Sequence, residues 1–145
     1  MKRVASIALA ALLIFTCCLG SAFAHADDGI MPLSSPTIMG QSASMKAGNQ
    51  SGELRISYNI NAVRYADEVG VLTIELYNSD GSYADTIYGT TDNGLVRTSS
   101  LKNMGTYSYT DAVSGQYYYA VVTLYATIGS VSDSVAVITA TVKAP

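Results

Sequence analysis

The fold class is set by residues 54–61, which read LRISYNIN. The apolar members of this stretch are Leu54, Ile56, Tyr58 and Ile60. They alternate with polar residues, and a period of two is typical of a β-strand that buries one face and leaves the other in water. The polar residues of the wet face are Arg55, Ser57, Asn59 and Asn61.

Strand-like stretches continue along the chain on both sides of this one. Turn signals separate them at roughly ten-residue spacing, for example the Ser-Asp-Gly-Ser sequence at residues 79–82. After the N-terminal segment, no window has helical periodicity. Counted from Gln41, the pattern predicts seven strands in about a hundred residues and indicates a β-sandwich or a small barrel. The expected strands cover residues 42–47, 54–61, 69–77, 83–88, 106–110, 117–128 and 132–142, with 95–99 either a short strand or irregular.

Alternation also predicts which side chains of the later strands face the core. In residues 69–77 we expect Leu72 and Ile74 on the buried face and Val71 on the outer face. The last strand is apolar on both sides, so alternation allows two orientations, and we expect one of them. In that orientation the inward residues are Ala136, Ile138, Ala140 and Val142, and the outward residues are Val135, Val137, Thr139 and Thr141.

The N-terminus has the organisation of a secretory signal peptide. Two basic residues precede an apolar run at residues 4–20, and overlapping Ala-x-Ala cleavage patterns follow at residues 22–26. A membrane anchor fits less well, because the run falls short of the ~20 residues of a span. The flanks of Cys17 and Cys18 also fit a lipoprotein site poorly. We therefore expect a signal peptide at 1–26, a flexible leader at 27–40 and a β-sandwich domain at 41–145, secreted from the cell.

Composition narrows the classes of function. The chain has 145 residues, of which 49% are hydrophobic and 13% charged, and this excludes an intrinsically disordered protein. The net charge is −3 with no basic block, which argues against nucleic acid as a partner. Cleavage after Ala26 removes both cysteines and His25, so Ser–His and Cys–His catalysis and structural zinc lose their residues. We expect membrane contact only through the signal peptide before cleavage.

Residues 114–122, SGQYYYAVV, resemble the entry to the sixth strand of an immunoglobulin-like or fibronectin-III-like sandwich. Such strands often start with a tyrosine whose hydroxyl bonds back to the preceding connection. Alternation selects Tyr118 for this role, because it shares a face with the apolar Ala120 and Val122. The resemblance implies an immunoglobulin-like seven-strand antiparallel sandwich, with the Tyr118 hydroxyl bonded near residues 111–114. It implies no function.

A narrower resemblance joins several segments of the mature chain. These are residues 67–76, DEVGVLTIEL, the tyrosine-rich strand at 117–128, and residues 129–134, GSVSDS, behind a signal peptide. Together they resemble small exported proteins of Gram-positive, mainly clostridial, bacteria that form a domain family of unknown function. The resemblance implies a bacterial, exported protein and carries no catalytic residues.

Two chemical alternatives use carboxylates. A hydrolase with a carboxylate pair would combine Glu75 with Asp67, Glu68 or Asp85. A calcium site would use the oxygens around the turn at Asn78, Asp80, Ser82 and Asp85, although an Asp-Gly turn explains these residues without a metal. We expect no catalytic residue, no cofactor and no metal.

The candidate binding platform is an outer sheet face with Tyr77, Tyr119, Val121 and Tyr125. Two interpretations stay open. Tyr, Val and Thr are good strand formers, so the face is explained by sheet stability alone. A contiguous aromatic and apolar patch on a secreted domain also marks a contact surface. On the second interpretation the protein is a secreted, non-enzymatic binding domain for an unknown protein or glycan at the cell envelope or outside the cell. The alternative is a carbohydrate- or cell-wall-binding module that stacks sugars on Tyr77, Tyr119 and Tyr125.

Overall fold

The computed structural model describes residues 35–145, and within that range the chain is all β-strand and connections. The strands are β1 Ile38–Ala47, β2 Leu54–Asn78, β3 Tyr83–Tyr88, β4 Val96–Tyr109, β5 Tyr117–Ile128, β6 Val131–Ile138 and β7 Val142–Lys143. Every strand pairing is antiparallel. The prediction of an all-β antiparallel fold is therefore confirmed. The predicted signal peptide at 1–26 lies outside the described residues.

Residues 35–145 contain the predicted seven strands, but the strands divide the sequence differently. The stretches expected at 54–61 and 69–77 form one strand of 25 residues. Those at 95–99 and 106–110 likewise form one strand of 14 residues, and the last stretch divides into β6 and β7. At the other end of the domain, β1 begins at Ile38, which is buried. Residues 38–40, expected in the flexible leader, thus belong to the sheet.

The long strand β2 organises the sheet, because it changes neighbours along its length. Its first part, residues 54–61, lies between β1 and the second part of β4. Its last part, residues 73–77, lies between β3 and β5. The register with β4 shifts between Asn61 and Ala66, where the two parts of β2 meet. Beyond β5 the sheet continues to β6 and the short β7.

A single hydrophobic core joins both parts of β2 to β5. Alternate residues of the first part are buried, as predicted from residues 54–61. The same alternation runs through β5, whose inward side chains include Tyr118, Val122 and Leu124. The largest fully buried apolar side chains are Leu54, Ile56, Ile60, Ile74, Leu76, Leu95 and Leu124.

An irregularity in β2 reverses part of the predicted pattern. The pairing with β5 shifts between Val71 and Thr73, so Leu72 is an extra residue with no direct partner. Val71 is fully buried and Leu72 is 47% exposed, the opposite of the prediction for both. The Val71 amide donates to the Leu95 carbonyl at 2.8 Å, which holds this segment against the core. Beyond the bulge, Ile74 is buried as expected.

The orientation predicted for the last strand is wrong in β6, although Val142 of β7 packs against the core as predicted. Val135 and Val137 pack against the core, whereas Ala136 and Ile138 are exposed. The cause is the register with β5, which places Val137 opposite the buried Val122. Residues directly opposite each other share a face of the sheet, so Val137 must point inward with its partner.

Candidate functional site

One outer face of the sheet gathers aromatic and apolar side chains from four strands. The register between the strands brings these side chains together, because Tyr77 of β2 lies between Tyr83 of β3 and Tyr119 of β5. Val121 of β5 lies opposite Ile138 of β6. We call this surface the tyrosine face, and its residues are Tyr77, Tyr83, Tyr119, Val121, Tyr125 and Ile138.

Three rings of the tyrosine face form a row across the strands. The rings of Tyr77 and Tyr119 are stacked, with centroids 5.4 Å apart and an interplanar angle of 13°. Tyr83 meets Tyr77 edge-to-face, with centroids 6.1 Å apart and an angle of 80°. Each such pair contributes about 0.5–1.5 kcal/mol beyond the area it buries, so the row also stabilises the sheet. Tyr83 is nevertheless 61% exposed at the end of the row.

Hydrogen bonds fix two of the hydroxyl groups in the row of rings. The Tyr77 hydroxyl donates to Glu75 Oε2 at 3.1 Å, and this bond is the main reason that the pKa of Tyr77 is raised. The Tyr83 hydroxyl donates to Thr86 Oγ1 at 3.1 Å. The rings are thus positioned by the protein itself.

Tyr125 lies apart from the row. It is six residues beyond Tyr119 on β5, which is about 20 Å along an extended strand. Its hydroxyl donates to Glu68 Oε2 at 3.0 Å. Burial, followed by this bond, raises the pKa of Tyr125 to about 12. The structure therefore brings together Tyr77, Tyr119 and Val121 but places the fourth predicted platform residue at the other end of the face.

Two members of the face were missed by sequence reasoning. Tyr83 follows the turn at 79–82, and the hairpin register places it opposite Tyr77. Counting back across that turn could have found it. Ile138 is 69% exposed, but the reversed orientation of β6 hid it, because a strand that is apolar on both sides gives no local signal of orientation.

A polar groove of about 380 Å³ lies at the end of the tyrosine face. It is lined by Asn78, Ser79, Asp80, Gln116 and Tyr117. The connection after β2 meets the start of β5 here, where the Ser79 amide donates to the Tyr117 carbonyl at 2.9 Å. Tyr117 is 50% exposed, and the Lys143 ammonium lies over its ring, 5.8 Å from the centroid. Tyr117 and Tyr119 are two residues apart and share the outer face of β5.

The turn considered for calcium is held by its own hydrogen bonds. Asp80 Oδ1 accepts from the Ser82 amide at 2.8 Å and from the Ser82 hydroxyl, and these bonds lower the pKa of Asp80. Asn78 Nδ2 donates to Ser82 Oγ at 2.9 Å. Asp85 lies within β3, and its Oδ1 accepts from the Thr86 amide at 2.8 Å. Within residues 35–145 there is no group of three or more His, Cys, Asp or Glu side chains placed to hold a metal ion.

The proposed carboxylate pairs are not brought together. Glu68 and Asp67 are seven and eight residues from Glu75 on the same strand, which is roughly 23–26 Å when extended. Glycoside hydrolysis needs two carboxyl groups about 5–10 Å apart. Asp85 lies opposite the buried Leu76, so it belongs to the other face of the sheet from Glu75.

A second groove, of about 400 Å³, is lined by Ser134, which lies opposite Tyr125. It runs between the start of β1 and β6, and it is lined by Ser35, Pro36, Ile38, Gln41 and residues 132–135. None of these residues carries an aromatic ring, and Asp133 is the only charged one.

No protein-family model matches the chain, and no curated protein or solved structure matches it either. The resemblance to exported clostridial proteins therefore stays a prediction. In the part of the chain that the structure describes, no helix has the length and apolar character needed to cross a membrane.

Proposed function

We propose that this chain is an exported, non-enzymatic binding domain and that the tyrosine face is its contact surface. The observation that carries the proposal is the exposure of large apolar groups on a paired, rigid sheet. Tyr83 is 61% and Ile138 69% exposed, on either side of the stacked Tyr77 and Tyr119. Contiguous exposed apolar groups of this kind mark interaction sites on soluble proteins.

The other outer face of the sheet provides the contrast. There, β2 presents Arg55, Ser57, Asn59 and Asn61, all of them polar. The neighbouring strands are mostly polar on this face, where Ser57 Oγ lies 2.9 Å from Thr106 Oγ1, and the exception is Met104, which lies opposite Asn59 and is 57% exposed. Sheet stability explains the stacked pair of tyrosines on the tyrosine face, but it does not explain the exposed Ile138. A ligand that covers Ile138 and Tyr83 would remove apolar area from water, at about 25 cal/mol per Å².

The architecture that we propose is an immunoglobulin-like β-sandwich. It is supported by the change of neighbours along β2 and by the single core to which both parts of β2 contribute. A second support is the Tyr118 hydroxyl, which accepts from the Val113 amide at 3.0 Å. That bond links the start of β5 to the connection before it, as in the corner of such sandwiches.

The experiment compares two double variants of the mature protein. Tyr83→Ser with Ile138→Ser alters the tyrosine face at its two most exposed positions. Val63→Ser with Tyr65→Ser is the matched control, because it also removes two exposed side chains but lies in the irregular middle of β2. Binding is measured by sedimentation with envelope prepared from the producing bacterium, and separately with its secreted proteins.

We expect at least tenfold weaker binding for the first double variant, about 1.4 kcal/mol, and little change for the control. Both variants should unfold cooperatively, since all four side chains are exposed. Equal binding by the two folded variants would show that the tyrosine face is not the contact surface.

A carbohydrate-binding module is the second candidate. The groove beside Tyr117 favours it, because an exposed ring lies there next to two amide side chains and a carboxylate.

A further inference from the structure

We infer that the groove lined by Asn78, Asp80, Gln116 and Tyr117 is a subsite for a neutral carbohydrate, at the end of the tyrosine face. The inference rests on the proposed function, since it names the class of ligand that the tyrosine face takes. It adds a site whose polar residues come from the end of β2, the connection after it and the connection before β5.

The first argument is hydrogen-bonding capacity. The side chains of three residues that line the groove each have one polar atom with no protein partner among residues 35–145: Asn78 Oδ1, Asp80 Oδ2 and Gln116 Nε2. The other atoms of these side chains are already bonded. Asn78 Nδ2 donates to Ser82, Asp80 Oδ1 accepts from Ser82, and Gln116 Oε1 accepts from the Tyr118 hydroxyl at 3.2 Å. Each side chain is therefore held by one polar atom and has a second polar atom free to bond a ligand.

The second argument is the match to a sugar. The free groups comprise two acceptors and one donor, and adjacent sugar hydroxyls both donate and accept, so they satisfy all three. The exposed ring of Tyr117 offers an apolar surface for the C–H side of a sugar ring. A mainly apolar ligand would instead leave the carboxylate and the amides without partners.

Charge selects a neutral ligand. The Asp80 carboxylate stays ionised, because the bonds from Ser82 lower its pKa, and it repels an anion in the groove. The Lys143 ammonium above the Tyr117 ring disfavours a cation on the same ring. With one charge of each sign at its border, the groove suits a polyhydroxylated ligand without charge.

The position of the groove indicates a chain of sugars. Tyr117 continues directly into Tyr119 on the outer face of β5, and Tyr119 stacks on Tyr77. Tyr83 then extends the row to β3. An oligosaccharide with one end in the groove can lie along the exposed edges of these rings.

The test uses soluble, neutral hexasaccharides as probes: cello-, chito-, xylo- and maltohexaose. Binding to the mature protein is measured by isothermal titration calorimetry, and amide chemical shifts locate the site. Tyr117→Ser removes the ring, and Asp80→Asn removes the charge while it keeps an oxygen to accept from Ser82. Tyr65→Ser is the control, because Tyr65 is 75% exposed and lies outside the groove.

We expect at least one probe to bind, with shifts centred on Asn78, Gln116 and Tyr117. Tyr117→Ser should weaken that binding at least tenfold and Asp80→Asn about threefold to tenfold, with Tyr65→Ser unchanged. If no probe binds at millimolar concentration, or if Tyr117→Ser binds as tightly as the unaltered protein, the carbohydrate subsite is refuted.

These failures are separate from failure of the proposed function. Loss of envelope binding in Tyr83→Ser with Ile138→Ser, together with no hexasaccharide binding, would overturn the subsite and leave the tyrosine face as a contact surface. Hexasaccharide binding that depends on Tyr117, with full envelope binding in that double variant, would support the subsite and overturn the role of the wider face.

Discussion

Removal of the Tyr118 hydroxyl tests the packing at the start of β5. Tyr118 is 4% exposed, and its hydroxyl accepts from the Val113 amide at 3.0 Å and donates to Gln116 Oε1 at 3.2 Å. In Tyr118→Phe the ring stays in place and both bonds are lost. A net hydrogen bond contributes about 1 kcal/mol, and the exposed Val113 and Gln116 can recover water.

We therefore expect Tyr118→Phe to lower the free energy of unfolding by about 1–2 kcal/mol. In a domain of this size that corresponds to a fall in Tm of about 4–8 °C. The connection itself should remain in place, because the Gly115 amide donates to the Ala144 carbonyl at 2.9 Å and the Ala112 amide to the Gly52 carbonyl at 3.2 Å. The loss is thus local, and the hydrogen exchange of the Val113 amide should accelerate.

Urea unfolding of Tyr118→Phe and Tyr119→Phe provides the measurement. Tyr119 is the matched control, because it is the next residue and faces outward, and no hydrogen bond among residues 35–145 involves its hydroxyl. We expect Tyr119→Phe to stay within about 0.5 kcal/mol of the unaltered protein. Equal losses for the two variants, or an unchanged exchange rate at Val113, would refute the reasoning.

Three further predictions concern the bulge, a close backbone contact and pH. Val71→Ala should lower the free energy of unfolding by about 2 kcal/mol and Leu72→Ala by less than about 1 kcal/mol, because only Val71 is buried. Denaturant unfolding checks the order of the two losses. The order would reverse if β2 alternated without a bulge. Gly89→Ala should destabilise the protein by at least about 2 kcal/mol, because a Cβ there collides with the Val71 carbonyl. Gly40→Ala is the control in the same assay and should be close to neutral, because the nearest atom to its Cβ is 4.0 Å away. The pKa of Tyr125 is raised to about 12 from about 10 in the unfolded chain, so its contribution to stability is complete below pH 10 and disappears as the pH rises through 12. Unfolding midpoints measured from pH 9 to 12 should therefore fall less steeply in Tyr125→Phe than in the unaltered protein. Identical slopes would contradict the raised pKa.

The parts of the fold that the sequence predicted are those where apolar and polar residues alternate. In residues 54–61 only one orientation buries the apolar side chains, and the structure has that orientation. Alternation also placed Tyr118 inside, and the resemblance to immunoglobulin-like sandwiches implied a bond from its hydroxyl to the backbone near residues 111–114; the structure has both, with the Val113 amide as the partner. Here a local pattern is sufficient, because burial of the polar side chains would leave charged or amide groups without hydrogen-bond partners.

The sequence did not predict which side of a strand faces the core where both of its faces are apolar. Around the bulge, residues 69–72 read VGVL, and in β6 residues 135–138 read VAVI. Either orientation buries apolar groups there, so the register with β5 decides. The continuity of β2 through residues 62–68 was missed for a related reason. Polar residues interrupt its alternation, yet pairing with β4 resumes at Ala66.

For the candidate site, too, local alternation predicted some residues and the register between strands decided the others. Tyr77 and Tyr119 were predicted to share a face because each alternates with buried neighbours on its own strand. Tyr83 and Ile138 join them only through register across strands, which a single sequence does not reveal.

The way in which the tyrosine face is built favours a rigid encounter with the ligand that we propose for it. Its rings stand on hydrogen-bonded strands, and the hydroxyls of Tyr77, Tyr83 and Tyr125 are held by Glu75, Thr86 and Glu68. Binding therefore orders few side chains that were free before, which reduces the entropic penalty of association. A tyrosine side chain also has few rotatable bonds to immobilise. Because the face is already arranged, loss of Tyr83 or Ile138 should act mainly by increasing the dissociation rate, with the association rate nearly constant.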